Sequence, residues 1–302
     1  MNSEVLSAAP AFASSSEVDG PPLEPNVSDS RRWNAELELW FGYRDERTRL
    51  LRRRHLGPLV VQRPFYPERD GTCHVYLLHP PAGVAAGDEL HFTFHLDAGA
   101  RAVLTTPGAG KFYRCAAGKG AQRSLVDIAA NAVCEYLPQE TIIFDGAIAE
   151  IGTRVTLGES ATFVGWDFLC LGRPAAGERF RRGAVTQRIE IRREGRPIWF
   201  ERLHVAGGSP LLNAAYAFAG HPVVGTMVYA GPLKEGVADT VRKCVPEAKA
   251  QLFSVSQLGR TVVCRYLGQH AEEGKSLFIR AWDALRTELQ AKPACSPRIW
   301  AT

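Results

Sequence analysis

The sequence predicts a mainly β protein with a few helices in its last third. Short runs in which apolar and polar residues alternate recur from about residue 33 to residue 205. Period-two alternation is typical of strands with one buried face. Glycine, proline, aspartate and asparagine separate the runs and indicate turns. The clearest alternating runs are 35–40, 74–78, 89–96, 102–105 and 188–192.

Helical patterns are scarce between these strands, which disfavours a parallel sheet built from strand-helix-strand units. A sandwich, a barrel and a solenoid all remain compatible with regularly spaced short strands. The sequence shows no fixed period, so the alternation alone does not indicate a repeat solenoid.

The last hundred residues change character. Ser209 is a suitable cap and Pro210 suits the first helical position, so a helix is predicted over 211–218. Apolar residues spaced at i, i+4, i+8 and i+11 predict a second helix over 233–244, which Pro246 ends. A strand is predicted over 261–267. An apolar stripe over 277–289 predicts a third helix, which begins after Gly274 and ends before Pro293.

Length and composition indicate one folded domain behind a tail. Residues 1–30 are rich in serine, alanine, proline and acids and have no apolar period, which is typical of disorder. The remainder, residues 31–302, is interpreted as a single domain. A chain of this size buries about 75% of its unfolded surface, so its core needs no disulfide or metal to fold.

Charge and cysteine content exclude several classes of protein. A net charge of +4 is too small to argue for nucleic acid or an anionic membrane. The seven cysteines are odd in number and widely spread, which disfavours a disulfide framework and a closed zinc site. The start lacks the pattern of a signal peptide, so a cytoplasmic location is expected. Residues 203–233 carry no Asp, Glu, Lys or Arg, but their glycines and Pro222 favour a buried core or an interface over a membrane span.

Common catalytic and ligand-binding motifs fail on inspection. The fragment PGAGK at 107–111 lacks the first glycine and the final Ser or Thr of a phosphate loop, so it is interpreted as a turn. His91 and His95 lie on a predicted strand about 13 Å apart, too far for one metal ion. The arginine-rich run 44–54 has no interleaved aromatic residues and is interpreted as a solvated strand and turn.

Carboxylates remain as candidates for function. Five of them lie in turn-like stretches with glycine nearby, and several flank strongly apolar runs. Such acids either cap turns or face an internal polar cavity, and the sequence leaves both alternatives open. The five are Asp88, Glu140, Asp145, Asp167 and Glu178.

Ordered motifs from about residue 33 to residue 290 resemble the UreD family of urease accessory proteins, called UreH in some species. Any one motif is weak, but the ordered set is specific. The family's glycine-rich turn is altered here, because Ala82, Ala85 and Ala86 occupy some of its positions, and Gly110 replaces a usual Thr or Ser. The motifs are GPLVVQRPFYPE (57–68), CHVYLLHPP (73–81), GD (87–88), LTTPGA (104–109), KFYR (111–114), YLPQETIIFDGA (136–147), GWD (165–167), LGRP (171–174), GERF (177–180) and LFIRAW (277–282).

The resemblance implies a fold and a role. It implies a right-handed, β-helix-like stack of short strands with a few C-terminal helices. It implies a urease maturation factor, not an enzyme, that binds UreF, reaches the GTPase UreG through UreF, and docks on the urease apoprotein. Nickel is implied to pass through an internal channel, so that no cofactor is permanently bound and the metal is only transient.

Ligand chemistry connects this implied role to the five carboxylates. Imidazole and thiolate bind Ni²⁺ tightly, so a path lined with His and Cys would trap the ion. Passage needs sites that admit the ion and still release it, and carboxylates with water provide them. The hypothesis is therefore that Asp88, Glu140, Asp145, Asp167 and Glu178 face one interior tunnel.

Two other readings stay open, together with the docking surfaces. A β-solenoid enzyme acting on carbohydrate would use Asp145 and Asp167 as acid and base and would need an open groove lined with exposed aromatic residues. A bare adaptor would join partners without touching metal. The candidate surfaces for UreF are residues 203–233 and the helical stripe that ends at Leu289, because exposed apolar area commonly marks partners.

Overall fold

The computed structural model describes residues 33–246 and 253–301. The predicted tail over residues 1–30 lies outside the described residues. Alternating burial along the strands follows the sequence pattern, as in β5 (Glu89–Leu96), where every second residue is buried. Each predicted alternating run lies within a strand of the structure.

Seven strands in the described ranges form the first sheet. The central pairs from β1 to β14 are parallel, and the outer pairs β1–β2 and β14–β15 are antiparallel. In spatial order the strands are β15 (Arg196–Ala206), β14 (Ala184–Arg193), β11 (Ile148–Leu157), β8 (Gly120–Ile128), β5 (Glu89–Leu96), β1 (Asn34–Arg44) and β2 (Arg47–Leu56).

Eleven strands in the same described ranges form the second sheet. Its main path in spatial order is β17 (Phe253–Leu258), β18 (Thr261–Gly268), β16 (Val223–Ala230), β12 (Thr162–Arg173), β9 (Val133–Tyr136), β6 (Arg101–Thr105), β4 (Cys73–Leu78) and β3 (Val60–Val61). The short strands β7 (Gly110–Phe112), β10 (Thr141–Ile143) and β13 (Glu178–Arg179) join it at the ends of other strands.

The chain alternates between the two sheets and so builds a solenoid-like stack of about four turns. β5 leads into β6, β8 into β9 and β11 into β12, and the equivalent strands of successive turns pair in parallel. Longer returns carry the chain back to the first sheet. The predicted mainly β stack of short strands is confirmed.

The corners between the sheets carry a repeat that the sequence analysis missed. Gly99, Asn131 and Ser160 take the third position of three successive corners, with φ values of 72°, 59° and 52°. Backbone hydrogen bonds stack the corners, because the N–H of Gly99 donates to Ala130 (3.0 Å) and that of Asn131 to Glu159 (2.9 Å). The residue after each left-handed position is a fully buried alanine: Ala100, Ala132 and Ala161.

Two hydrophobic cores hold the molecule together. One fills the space between the sheets, and its members include Leu39, Phe94 and Val155. The other lies between the outer face of the second sheet and the helices, with Trp166 and Phe278 among its members. The second sheet is therefore buried on both faces over much of its area.

The helices agree only in part with the prediction. The helix expected over 211–218 is wrong: Ser209 does cap Leu211, but only a 3-10 turn at Pro210–Leu212 forms and further turns follow. Helix α1 (Val237–Lys243) confirms the second prediction in a shorter form. Helix α2 (Ala271–Gln290) confirms the third, but it begins before Gly274.

Gly274 lies inside α2 because the helix approaches the second sheet closely there. A Cβ atom on Gly274 would stand 2.5 Å from Tyr266 Cδ1 and 2.7 Å from Phe168 Cε1. Glycine is thus a packing requirement at this position and does not mark the end of the helix.

Candidate functional site

Asp167 lies on the inner face of β12, in the space between the sheets. Its inner-face neighbours Phe163 and Leu169 belong to the core between the sheets, whereas Trp166 and Phe168 point toward the helices. Period-two alternation along the strand therefore turns Asp167 inward. Its pairing partner on β16 is Thr226.

Glu201 of β15 reaches the same region from the first sheet. Arg265 of β18, which is paired with Thr226, donates to both carboxylate oxygens of Glu201 at 2.8 and 2.9 Å. The Thr226 hydroxyl also donates to Glu201 at 3.2 Å. These hydrogen bonds join the two sheets across the interior. The Arg265 side chain is 48% exposed, so the group reaches solvent on the Arg265 side.

Burial and charge act together on Asp167. Burial disfavours the ionised carboxyl and raises the pKa of Asp167, and the nearby Glu201 charge adds to the rise, so the pKa is about 7. A cavity of about 10 Å³ adjoins Asp167 and is also lined by Tyr136 and Thr153. That space is about the size of one water molecule.

Other polar side chains share this interior space. Ser124 and the Tyr136 hydroxyl lie 3.3 Å apart in a hydrogen bond. Gln187 on β14 is buried, and its Nε2 has no hydrogen-bond partner among the described residues. Oxygen and amide groups thus interrupt the apolar core on both sheets near Asp167.

Cysteines contribute little as ligands inside the stack. Cys73 and Cys134 belong to the core between the sheets. Burial raises the pKa of Cys73 to about 11 and raises that of Cys134 further. Both therefore remain neutral thiols near pH 7, and the thiolate is the form that binds metal. All seven cysteines are unpaired in the described part of the chain.

Asp88 lies away from Asp167. Glu140 lies beside β12, just before the strand β10 that pairs with it, but its charge acts on Cys170, which belongs to the core on the helix side. Asp88 precedes β5, and its carboxylate accepts hydrogen bonds from the backbone N–H of Trp33 (3.0 Å) and Ala85 (2.9 Å). Glu140 lies just before β10, where its carbonyl oxygen accepts a hydrogen bond from Gly110 N–H at 2.9 Å. Asp88 thus caps a loop, which is one of the two alternatives that the sequence left open.

Asp145 and Glu178 lie close together, on the side of the stack where the chain returns from the second sheet to the first. Glu178 accepts a hydrogen bond from Asp145 N–H (3.0 Å) and pairs with Arg173. The Asp145 carboxylate accepts from the backbone N–H groups of Arg181 and Arg182, each at 2.8 Å. Burial works to raise the pKa of Asp145, but these hydrogen bonds outweigh it and lower the pKa. The Arg173 hydrogen bond likewise lowers the pKa of Glu178.

A groove of about 600 Å³ opens beside Glu178. Leu171 of β12 also lines it, and Asp167 lies four residues earlier on the same strand, about 13 Å away at the strand rise. The groove thus adjoins the strand that carries the interior carboxylate. Of the five predicted carboxylates, the structure pairs only Asp145 with Glu178 among the described residues, and their shared role as a metal path stays a prediction.

Glu201 was missed by the sequence analysis. It is the carboxylate whose charge contributes to the raised pKa of Asp167. It lies in β15, an edge strand in which partly buried or buried residues alternate with exposed ones from Trp199 to Ala206. The apolar residues around it gave no turn signal, and turn signals had selected the other candidates. Alternating burial along β15 and the pairing of Glu201 with the buried Ile189 of β14 both give Glu201 an inward position.

The arrangement does not fit a pair of catalytic carboxylates. Asp145 caps the Arg181–Arg182 backbone at the edge of the stack, whereas Asp167 lies between the sheets. The groove beside Glu178 contains Phe180, which is 3% exposed. Asp145 and Asp167 therefore do not face a common groove with exposed aromatic residues.

The two candidate docking segments are largely covered. The stripe of α2 packs on its own sheet, with Leu277, Phe278 and Trp282 buried. Within 203–233, β16 is an interior strand of the second sheet. The loop over 207–222 remains on the surface, where Tyr216 is 87% exposed. Across 33–246 and 253–301, no helix is both long and apolar enough to span a membrane.

Comparison with known proteins identifies the class to which this stack belongs. A family model described as UreD urease accessory protein matches residues 34–301. A Brucella anthropi protein named urease accessory protein UreD 2 is 57% identical over 273 residues, which cover 90% of this chain and all of the relative. Proteins named urease accessory protein UreD from an Azoarcus species and from Dechloromonas aromatica are 44% and 42% identical, over 89% and 93% of this chain and 94% and 98% of their own.

These similarities place the chain among urease accessory proteins, as the ordered motifs had predicted. The chain belongs to the UreD family.

Proposed function

We propose that this chain is a non-catalytic urease maturation factor that binds UreF, reaches UreG through it, docks on the urease apoprotein and passes nickel through the space between its sheets. The observation that carries the nickel path is that the Asp167 and Glu201 carboxylates act on each other across that space. The thiols of Cys73 and Cys134, buried elsewhere between the sheets, stay neutral. Oxygen ligands admit a divalent ion and release it, as a path requires.

Nickel enters this path as cargo. The groove beside Glu178 and Asp145 serves as one mouth, since Leu171 lines it and β12 leads from it to Asp167. The space at Asp167 holds about one water molecule, so a passing ion exchanges hydration waters for carboxylate oxygens while neighbouring side chains move apart. Proton loss from Asp167 accompanies binding, because the pKa of Asp167 is raised to about 7.

Urease activation in cells tests the path. The chain is expressed with urease and the other accessory proteins at limiting nickel, as wild type and as Asp167→Asn, Glu201→Gln and the double variant. We expect the double variant to lose most activation while it still copurifies with UreF. The matched control is Asp127→Asn, a carboxylate on the outer face with a side chain that is 55% exposed. Full activation by the double variant would leave only a bridging role.

The outer carboxylates allow a second comparison. Glu178→Leu should lower activation without loss of UreF binding if the groove is the mouth of the path. If activation is unchanged in that variant, the path does not begin at this groove.

The small size of the cavity at Asp167 favours a second candidate, an adaptor that joins UreF and urease without metal passage. An adaptor requires only its surfaces, and the exposed Tyr216 loop is the apolar part of residues 203–233 that a partner can reach. Tyr216→Ala should then abolish copurification with UreF and activation together, while Asp167→Asn with Glu201→Gln leaves both intact.

A further inference from the structure

Three potential metal ligands from distant parts of the sequence meet at one end of the second sheet. Glu68 lies in the segment before β4, His74 in β4 and Cys295 in the segment after α2. Their ligand atoms all lie within 4.8 Å of one another. This group lies on the outer face of the sheet, because Cys73 and Val75, which flank His74, belong to the core between the sheets.

The fold brings Cys295 to this place through a reversal after α2. The helix ends at Gln290, and Ala291 takes a left-handed conformation with φ 54°. Asp283 then accepts a hydrogen bond from Ala294 N–H at 2.7 Å. Arg286 fixes the same segment, since its Nη1 donates to the carbonyl oxygen of Pro293 at 2.9 Å. The chain is thereby directed back toward β4, and the contacts of Pro293 and Ala294 position Cys295 directly after them.

His74 is the best-placed ligand of the three. Its side chain is 1% exposed, and Nε2 lies 2.7 Å from Glu68 Oε1. Its Nδ1 is buried and has no hydrogen-bond partner among the described residues. The protein therefore does not satisfy both ring nitrogens, although buried polar groups are generally paired. Because Nδ1 has no partner, it is free to take the ring proton when Nε2 binds an ion beside the Glu68 carboxylate and the Cys295 thiol.

The charge of the surroundings is consistent with a divalent cation. Glu68 contacts Arg286 (2.8 Å) and Lys292 (2.9 Å), and Glu135 and Asp70 complete the ionic group at 3.0 and 2.7 Å from the same two cations. Three carboxylates thus face two fixed positive charges, which leaves one negative charge when His74 is neutral. A divalent cation that displaces the Cys295 proton makes the group electrically neutral.

The donor set selects the type of ion. Imidazole, thiolate and carboxylate are ligands of zinc and of other first-row divalent ions, whereas magnesium and calcium prefer oxygen alone. Burial raises the pKa of the Cys295 thiol, but a bound cation favours the thiolate directly. Cys295 is only partly buried, so an ion and an additional water ligand can reach the group from solvent.

We propose that Glu68, His74 and Cys295 form a binding site for a divalent transition-metal ion of the zinc or nickel type. Binding releases the Cys295 proton to solvent. His74 Nε2 and the Glu68 carboxylate exchange their hydrogen bond for bonds to the metal, and the imidazole proton moves from Nε2 to Nδ1. The thiolate and the imidazole bind such ions tightly, so the site retains metal and fastens the segment after α2 to β4. The site does not depend on the interior path, which uses Asp167 and Glu201.

Titration of the metal-free full-length chain tests the site. Co²⁺ serves as the optical probe, because thiolate ligation produces a charge-transfer band, and Zn²⁺ and Ni²⁺ are then used to displace it. We expect one equivalent of Co²⁺ with a thiolate band in the wild type. Cys295→Ser should lose the band and bind more weakly by about 10- to 100-fold or more. Cys115→Ser, which changes another partly exposed cysteine, is the matched control and should keep both.

A measurement on the wild type guards against a variant that fails to fold. Iodoacetamide labelling followed by peptide mass analysis reports the reactivity of Cys295 with and without Zn²⁺. We expect Zn²⁺ to protect Cys295 and not Cys115. Equal labelling of Cys295 in both conditions, or an unchanged Co²⁺ band in Cys295→Ser, would overturn the proposal.

Discussion

Asp167 is the residue at which burial and the proposed nickel path meet most directly. A carboxyl group between two sheets faces a neighbouring carboxylate, Glu201, and the pKa of Asp167 rises to about 7 as a result. The folded protein therefore retains a proton that the unfolded chain has already lost near pH 5. The stability of the fold must then depend on pH through this residue.

The Asp167→Asn variant should reveal that dependence. Below about pH 4 both states of the wild type hold the proton, and between pH 4 and 7 only the folded state does, so the wild type loses stability as pH rises. The difference in unfolding free energy, variant minus wild type, should grow across this range by up to about 4 kcal/mol. Urea unfolding at pH 4.5, 5.5 and 7 measures it. Parallel curves for the two proteins would contradict the assignment.

Arg286 is the second residue whose environment makes a strong prediction. Its guanidinium is 1% exposed and pairs with Glu68 and Glu135. Burial opposes its charge, but the two carboxylates outweigh burial and raise the pKa of Arg286. Removal of this charge leaves buried carboxylates without their main partner, and such losses cost about 3–5 kcal/mol.

We expect Arg286→Met to lower the unfolding free energy at pH 7 by about 3 kcal/mol. Arg154→Ala is the control, because the Arg154 side chain is 61% exposed and exposed ion pairs contribute about 0–1 kcal/mol. The additional change Glu135→Gln should restore part of the loss, since it removes one uncompensated charge. Equal stability of Arg286→Met and the wild type would show that the ionic group is energetically neutral.

At the scale of elements, contact between α2 and the second sheet explains why a glycine lies inside the helix. Sequence rules place glycine at a helix end, yet Gly274 lies in the first turns of α2 against Tyr266 and Phe168. Local propensity favours alanine over glycine by about 1 kcal/mol in a helix. Close packing opposes that preference, because an added methyl group would overlap two aromatic rings.

Gly274→Ala should therefore destabilise the protein by about 1–3 kcal/mol, despite its better helix propensity. Ser276→Ala on the exposed side of the same helix should change stability by less than about 0.5 kcal/mol. Thermal and urea unfolding of the two variants distinguish packing from propensity. A stabilised Gly274→Ala protein would mean that the aromatic rings move aside without cost.

At the scale of the whole molecule, the segment after α2 closes one side of the fold. Trp300 packs on Trp166 and Trp282 at ring separations of 5.5 and 6.1 Å, and its indole N–H donates to the Thr105 hydroxyl at 2.9 Å. The same segment carries Cys295 over β4. Loss of the Trp300 contacts should therefore also change the position of Cys295.

Trp300→Ala is expected to lower the unfolding free energy by about 2 kcal/mol, below the usual range for tryptophan because the ring is partly exposed. It should also increase the rate at which iodoacetamide labels Cys295. Arg298→Ala, an exposed change in the same segment, is the control and should alter neither quantity. Normal Cys295 labelling in the destabilised Trp300→Ala protein would show that the Trp300 contacts do not hold Cys295 in place.

The corner repeat shows how much of the stack was present in the sequence. Gly99, Asn131 and Ser160 each precede a buried alanine and follow an alternating run. Glycine, asparagine and serine are all turn residues, and this shared position was the available signal for a solenoid. It was hidden because the intervals between corners are unequal, so no fixed period appears.

The sequence by itself determined the mainly β class, the strands with one buried face, the stripe of α2 and membership of the UreD family. These features depend on local alternation and on ordered motifs, which survive without knowledge of the fold. Tertiary structure alone decided that Asp167 faces Glu201 and that Glu68, His74 and Cys295 converge. The physical reason is separation along the chain: stacked sheets and a reversed terminal segment bring together residues that no local pattern connects.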